Sequence, residues 1–154
     1  VRECAKAIKL LHQDNLPDAK KSMASVQAQV ASLSKLDSEF ERTSAIAYQE
    51  FVELSCLLCA VEKKDFPSRQ ELGVDNVAYL NGLADCVGEL RRAIQIALKN
   101  SDKSQADYYF GKLNEVYEEL MAIKFSSSLV GPLKHKQDVA RNQLEQARSE
   151  LLRA

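Results

Sequence analysis

The residues with the clearest chemical potential are four carboxylates, Glu50 and Glu53 three positions apart and Asp85 and Glu89 four apart. At either spacing on a helix the two side chains share a face, so each pair can aim its oxygens at one point. Two ionised carboxylates brought together out of water repel each other and lose solvation, and a cation resolves that conflict. Oxygen-only donors suit Mg²⁺ or Mn²⁺, and an ion so held can activate water and neutralise charge on a phosphodiester. The Glu-x-x-His pair of di-iron bundles is missing near either segment, since the two histidines are His12 and His135. The acids therefore point to phosphate chemistry rather than redox chemistry.

Position on the helix decides how unusual each acid is. With ~100° per residue and Glu50 as zero, Glu53 falls near ~-60°, and Ile46, Leu54, Leu57 and Val61 fall within ~40° of zero. Both glutamates thus share an apolar stripe. A competing reading puts Glu53 at the stripe's edge, reaching water, and leaves Glu50 partly buried beside an arginine. In the second segment Tyr79, Leu80, Leu83, Val87, Leu90, Ile94 and Ala97 cluster on one side, and Asp85 and Glu89 lie opposite, where solvent is expected. That opposite face also carries Ala78, Gly82 and Gly88. A glycine inside a helix costs roughly 1 kcal/mol relative to alanine, a cost most often tolerated where another backbone or a ligand comes close. Arg92, three residues beyond Glu89, offers the alternative of an ordinary surface ion pair. If the small-residue face packs on the glutamate stripe, the four carboxylates converge in one hard-oxygen site.

The elements that must position these acids are helices. Ala5, Ile8 and Leu11 recur at helical spacing between Arg2 and Asp14, and Asn15-Leu16-Pro17-Asp18 breaks and restarts the chain, with proline in the first turn of a second helix. Ala19, Met23, Val26, Val30 and Leu33 mark that helix's apolar face, and the two should form an antiparallel hairpin. A third helix, expected to be the longest, starts near the Ser38–Glu41 capping-box spacing and runs to about Lys64, where Asp65-Phe66-Pro67 stops it. Ser68 and Glu71 repeat the capping-box spacing ahead of Gly73 and predict one short helical turn. Asp75 caps a helix to about Lys99. Another follows Asn100-Ser101-Asp102 and carries Tyr109, Leu113, Val116, Tyr117, Leu120 and Ile123. A loop from Phe125 to Pro132 leads to a last helix, Pro132 to Leu152, with Leu133, Val139, Leu144, Ala147 and Leu151 as its apolar residues.

The bulk numbers agree with an all-α antiparallel bundle of six to seven helices in a single domain, 1–154. The chain has 154 residues, 45% hydrophobic and 28% charged, with only five glycines and three prolines. A formal net charge of -1 excludes a global positive field, so any contact with phosphates must be local or enclosed. No stretch approaches the ~20 consecutive apolar residues of a membrane span, and the N-terminus lacks a signal-peptide run, so a cytoplasmic location without membrane contact is expected. Cys4, Cys56, Cys59 and Cys86 read as small helix-contact residues in a reducing compartment rather than as disulfides or a metal site.

Ala47-Tyr48-Gln49-Glu50-Phe51-Val52-Glu53 and Ala78-Tyr79-Leu80-Asn81-Gly82-Leu83-Ala84-Asp85-Cys86-Val87-Gly88-Glu89-Leu90 resemble the corresponding segments of the X-type subunits of the translin family. Arg2-Glu3, Ala7-Ile8, Leu11-His12, the Tyr117 to Leu120 helix and the stretch from Pro132 to Arg141 also resemble family positions, so the resemblance spans nearly the whole chain. It implies an all-α subunit of a closed octameric shell that takes single-stranded RNA, or single-stranded DNA, into its cavity. The shell would be a homo-oligomer or a hetero-oligomer with a translin-like paralogue. The X-type resemblance further implies a Mg²⁺- or Mn²⁺-dependent endoribonuclease site at Glu50, Glu53, Asp85 and Glu89. Translin subunits that only bind have an aliphatic residue where Asp85 stands. The alternative is a non-catalytic RNA- or DNA-binding assembly. Lys63, Lys64, Arg69, Arg91 and Arg92, near the acids in sequence, are candidates for holding RNA phosphates, against the ordinary reading of solvated helix ends. A short Phe66 to Val74 connection and the lack of an N-terminal extension fit a minimal prokaryotic or archaeal member, and a first residue of Val1 fits sequence preceding it.

Overall fold

The computed structural model describes residues 1–33, 41–123 and 133–154, and among these residues the chain forms seven helices and no strand. They are α1 (Arg2–His12), α2 (Leu16–Leu33), α3 (Glu41–Val61), α4 (Arg69–Leu72), α5 (Asn76–Lys99), α6 (Lys103–Ala122) and α7 (Leu133–Arg153). The all-α expectation and the helix order hold. The Ser38–Glu41 capping box and the Phe125 to Pro132 loop lie outside the described residues. The third helix is not the longest as described, with 21 residues in α3 against 24 in α5.

Helix starts follow local side-chain chemistry. The Asn15 carboxamide accepts from the Asp18 N–H at 3.3 Å, and Asp75 and Asp102 accept from the N–H groups of Ala78 and Gln105, each at 2.9 Å. These side chains satisfy backbone donors that the first turn leaves without partners. Ser68 and Glu71 complete a reciprocal capping box on α4.

Four helix ends share one backbone device. After α1, α3, α4 and α5 a residue takes a positive φ, namely Asp14 (58°), Lys63 (57°), Gly73 (64°) and Ser101 (59°). In each case the next N–H reaches back five residues, as from Lys64 to the Cys59 carbonyl and from Asp102 to the Ala97 carbonyl, both at 2.9 Å. This is the Schellman closure, and only Gly73 supplies the residue type that adopts it without penalty. The other three accept a left-handed conformation costing roughly 1 kcal/mol, offset by the carbonyls they satisfy.

By packing, the chain falls into two compact units, Val1–Gly82 and Leu83–Ala154. In the first, α1 and α2 form the expected hairpin and both pack on α3. Cys4, Ala7, Ile8 and Leu11 of α1 and Ala19, Met23 and Val26 of α2 are buried. The apolar span Ser44–Val61, mean hydropathy 1.3, is long enough to cross a bilayer by length and composition, but here Phe51, Val52, Leu54, Cys56, Leu57 and Ala60 are buried in the protein core. In the second unit, the later turns of α5 bury Leu83, Val87, Leu90 and Ile94, and α6 packs on α7. The Gln137 carboxamide of α7 donates to the Leu120 carbonyl at 2.6 Å, covering the end of α6. Val139, expected on the apolar face of α7, is 41% exposed, and the adjacent Ala140 is buried in its place.

The two α5 glycines behave differently. A methyl group on Gly82 would overlap the Gln49 carbonyl oxygen and stand 2.7 Å from the Val52 Cβ. The backbones of α3 and α5 therefore touch at this point within the first unit. Nothing lies within 4 Å of a Cβ on Gly88, so close packing does not explain that glycine. Gly82→Ala should destabilise the chain by about 1–3 kcal/mol through overpacking, and Gly88→Ala should be neutral or stabilise by about 0.5–1 kcal/mol through helix propensity. Urea denaturation followed by circular dichroism checks the pair, and equal effects would contradict the assignment.

Candidate functional site

Glu50 and Glu53 lie in the middle of α3, and both are half-buried. Their surroundings differ from the one-sided stripe expected from the helical wheel. Phe51 and Val52, off that stripe, are buried, and Ile46, which anchored it one turn earlier, is 55% exposed. The middle of α3 is covered on several sides, so wheel angle does not by itself separate core from surface there. Cys4 of α1 lies close enough to feel both charges. Burial pushes its thiol up, and the negative charges of Glu50 and Glu53 push it further up. Burial also pushes the Cys56 thiol up to about 12, with Cys59 and Glu53 acting in the same direction. Such thiols stay protonated and unreactive at neutral pH, and all four cysteines are free.

Asp85 and Glu89 belong to the second unit and are half-buried rather than solvent-facing. Asp85 has a partner on α7. Lys136 Nζ stands 2.6 Å from both carboxylate oxygens of Asp85, with only 18% of the lysine side chain and 32% of the aspartate exposed. The two residues are 51 positions apart in sequence. Periodicity could not pair them. The one available signal was the place of Lys136 in the Pro132 to Arg141 stretch that resembles family positions.

Among the candidate basic residues, Arg91, Arg69 and Lys64 have partners within the chain. The Arg91 guanidinium donates to Glu150 at 2.6 and 3.3 Å and to Gln143 at 3.0 Å, joining α5 to α7. Arg69 donates to the Val74 carbonyl at 3.3 Å, and Lys64 lies 3.0 Å from Glu62. Lys63 and Arg92 are exposed. Lys63 also terminates α3 through its positive φ, so its backbone position follows from helix closure.

The donor chemistry fits a hard divalent cation. Within the second unit Asp85 and Glu89 are half-buried carboxylates, and both oxygens of Asp85 already meet a positive charge. Among the described residues, no three His, Cys, Asp or Glu side chains are grouped as metal ligands. A cation at Asp85 would meet the Lys136 ammonium first.

No protein-family model matches the chain. It is 31% identical over 155 residues to an uncharacterised protein, MJ0175, of Methanocaldococcus jannaschii, covering 98% of this chain and 69% of that protein. Its fold matches AfC3PO, solved alone and as a complex with duplex RNA. Both comparisons have a TM-score of 0.87, at 29% and 28% identity, over 97% of this chain and 80% of the solved ones. Apo-NeC3PO, at 23% identity, shares the fold with a TM-score of 0.85 over 98% of this chain and 81% of its own.

The Arg91–Glu150 link sets a pH dependence. Burial would raise the Glu150 carboxyl, but hydrogen bonds from Arg91 and Gln95 and the charges of Arg91 and Arg153 outweigh it and hold the group below its ordinary value. The Glu62 carboxyl is likewise lowered, by hydrogen bonds from Lys20 and Lys64. A lowered carboxyl stabilises the fold above its unfolded value and loses that contribution as pH falls through the folded one. Thermal stability should therefore fall as pH drops below about 4.5. Glu150→Gln should cost roughly 1–2 kcal/mol at pH 7 and flatten the acid limb. Melting temperatures at pH 7 and pH 4 for the two chains check this.

Proposed function

The chain belongs to the translin family, and from that premise we propose that it is a metal-dependent endoribonuclease acting on RNA inside an oligomeric shell. The observation that carries this reading is Asp85, a half-buried carboxylate with both oxygens drawn onto a cation, at the position that separates X-type subunits from binding-only ones. Glu50, Glu53, Asp85 and Glu89 would hold Mg²⁺ or Mn²⁺. When bound, the ion supplies Lewis-acid neutralisation of phosphodiester charge and activation of water. The chain's own contribution is to present the carboxylates half out of water, where electrostatic interactions are stronger than in bulk solvent. A carboxylate not engaged with the ion can accept the proton of the attacking water.

The partners proposed are single-stranded RNA, with single-stranded DNA as a second ligand, in a homo-octamer or in a hetero-oligomer with a translin-like paralogue, at a cytoplasmic location. The duplex RNA bound by AfC3PO supports RNA as the ligand class and makes strandedness part of the test. Arg92, exposed on α5, is better placed to meet phosphates than Arg91 and Arg69, whose guanidinium groups are engaged.

A second reading, a shell that binds RNA without cutting it, is favoured by the same Lys136 contact, because a permanently satisfied ion pair would make Asp85 structural. Cleavage assays separate the two. In Mg²⁺, the wild-type chain should cut a labelled single-stranded RNA, and Asp85→Asn and Glu89→Gln should each lower the rate by about 100-fold or more without changing the assembly's mass by light scattering. Full activity in either variant would refute the assigned site. RNA binding without turnover at every Mg²⁺ and Mn²⁺ concentration would leave the binding-only reading.

A further inference from the structure

We infer, on the reading that these acids hold a divalent cation, that Lys136 is the resident counter-cation of Asp85 and competes with the metal for the same two oxygens. Its Nζ is 2.6 Å from Oδ1 and 2.6 Å from Oδ2. Equal distances put the ammonium on the plane that bisects the two oxygens, which a cation bound to both would also occupy. Two positive charges cannot share that place, since their repulsion in a half-dry setting opposes the second arrival.

Other acids of α7 have cations of their own. Asp138, on the same helix as Lys136, stands by Lys134 at 3.4 Å and Arg141 at 4.0 Å. Glu150, the acid towards the far end of α7, is taken by Arg91. The side chains of Lys136 and Asp85 are 18% and 32% exposed, so solvent screens their attraction less than it would an open surface pair. Lys136 thus keeps Asp85 ionised and oriented in the metal-free protein, and metal occupancy depends on displacing it. It is a positioning residue that lowers metal affinity, so that cation concentration gates the site.

Mn²⁺ titration by calorimetry on the assembled full chain tests the competition, using wild type, Lys136→Met, Lys136→Arg and Asp85→Asn. Lys136→Met, which keeps the length and removes the charge, should bind Mn²⁺ about tenfold or more tighter than wild type. Lys136→Arg should stay within about threefold of wild type, because it restores the competing charge. Asp85→Asn should lose the site. Unchanged or weaker binding by Lys136→Met, with the Asp85→Asn loss intact, would overturn the inference and leave the metal reading standing. Wild-type affinity in Asp85→Asn, or no Mn²⁺ bound by either wild type or Lys136→Met, would overturn both. A measurement on the wild-type chain does not depend on any variant folding. Lysine acylation followed by mass spectrometry should show Lys136 becoming more reactive as Mg²⁺ is added, and constant reactivity up to saturating Mg²⁺ would refute displacement.

Discussion

At Gly82 the backbone of α5 meets the Gln49 carbonyl and the Val52 side chain of α3 with no room for a methyl group. A contact this close requires glycine and sets the orientation of the first turns of α5 within the first unit. The helix itself runs unbroken from Asn76 to Lys99, and Asp85 follows Gly82 by less than one turn. Gln49 and Val52 flank Glu50 and precede Glu53 on α3. The residues that make the contact are thus interleaved in sequence with the acids, and packing and chemistry constrain the same two short segments.

Features governed by nearest neighbours along the chain were legible without coordinates. The Ser68–Glu71 box, the Asp75 cap and the sharp stop at Gly73 each depend on side chains within a few residues of the backbone groups they satisfy. The stops near Asp14, Lys63 and Ser101 were legible, but not their left-handed closure, because the residues that make it are not glycines and it shows only in the backbone. The α3 wheel misassigned Ile46 and overlooked Phe51 and Val52, since a helix covered on several sides carries no single stripe. Of the two helical glycines read as signs of close approach, Gly82 is one and Gly88 is not. Propensity alone could not distinguish them.

The acids illustrate the same division at the level of the site. Their types and spacings were visible in sequence, and their half-buried state is consistent with a place where charge is costly unless paired. Which cation pairs with Asp85 was not visible, because Lys136 arrives from α7, 51 residues away. Sequence near the acids directed attention to Arg91 and Arg92. In the folded chain Arg91 braces α5 against α7 through Glu150, and Arg92 remains exposed. On the proposed reading, the physical difference between binding RNA and cutting it reduces to whether Asp85 keeps its ammonium or exchanges it for a metal ion.

Anomalous diffraction from crystals soaked in Mn²⁺ tests that difference most directly. A peak at about 2.2 Å from oxygens of Asp85 and of the neighbouring glutamates, with Lys136 moved off the carboxylate, is the result expected. Saturating Mn²⁺ with no peak at these acids, and Lys136 still on both oxygens of Asp85, would contradict the metal-dependent account.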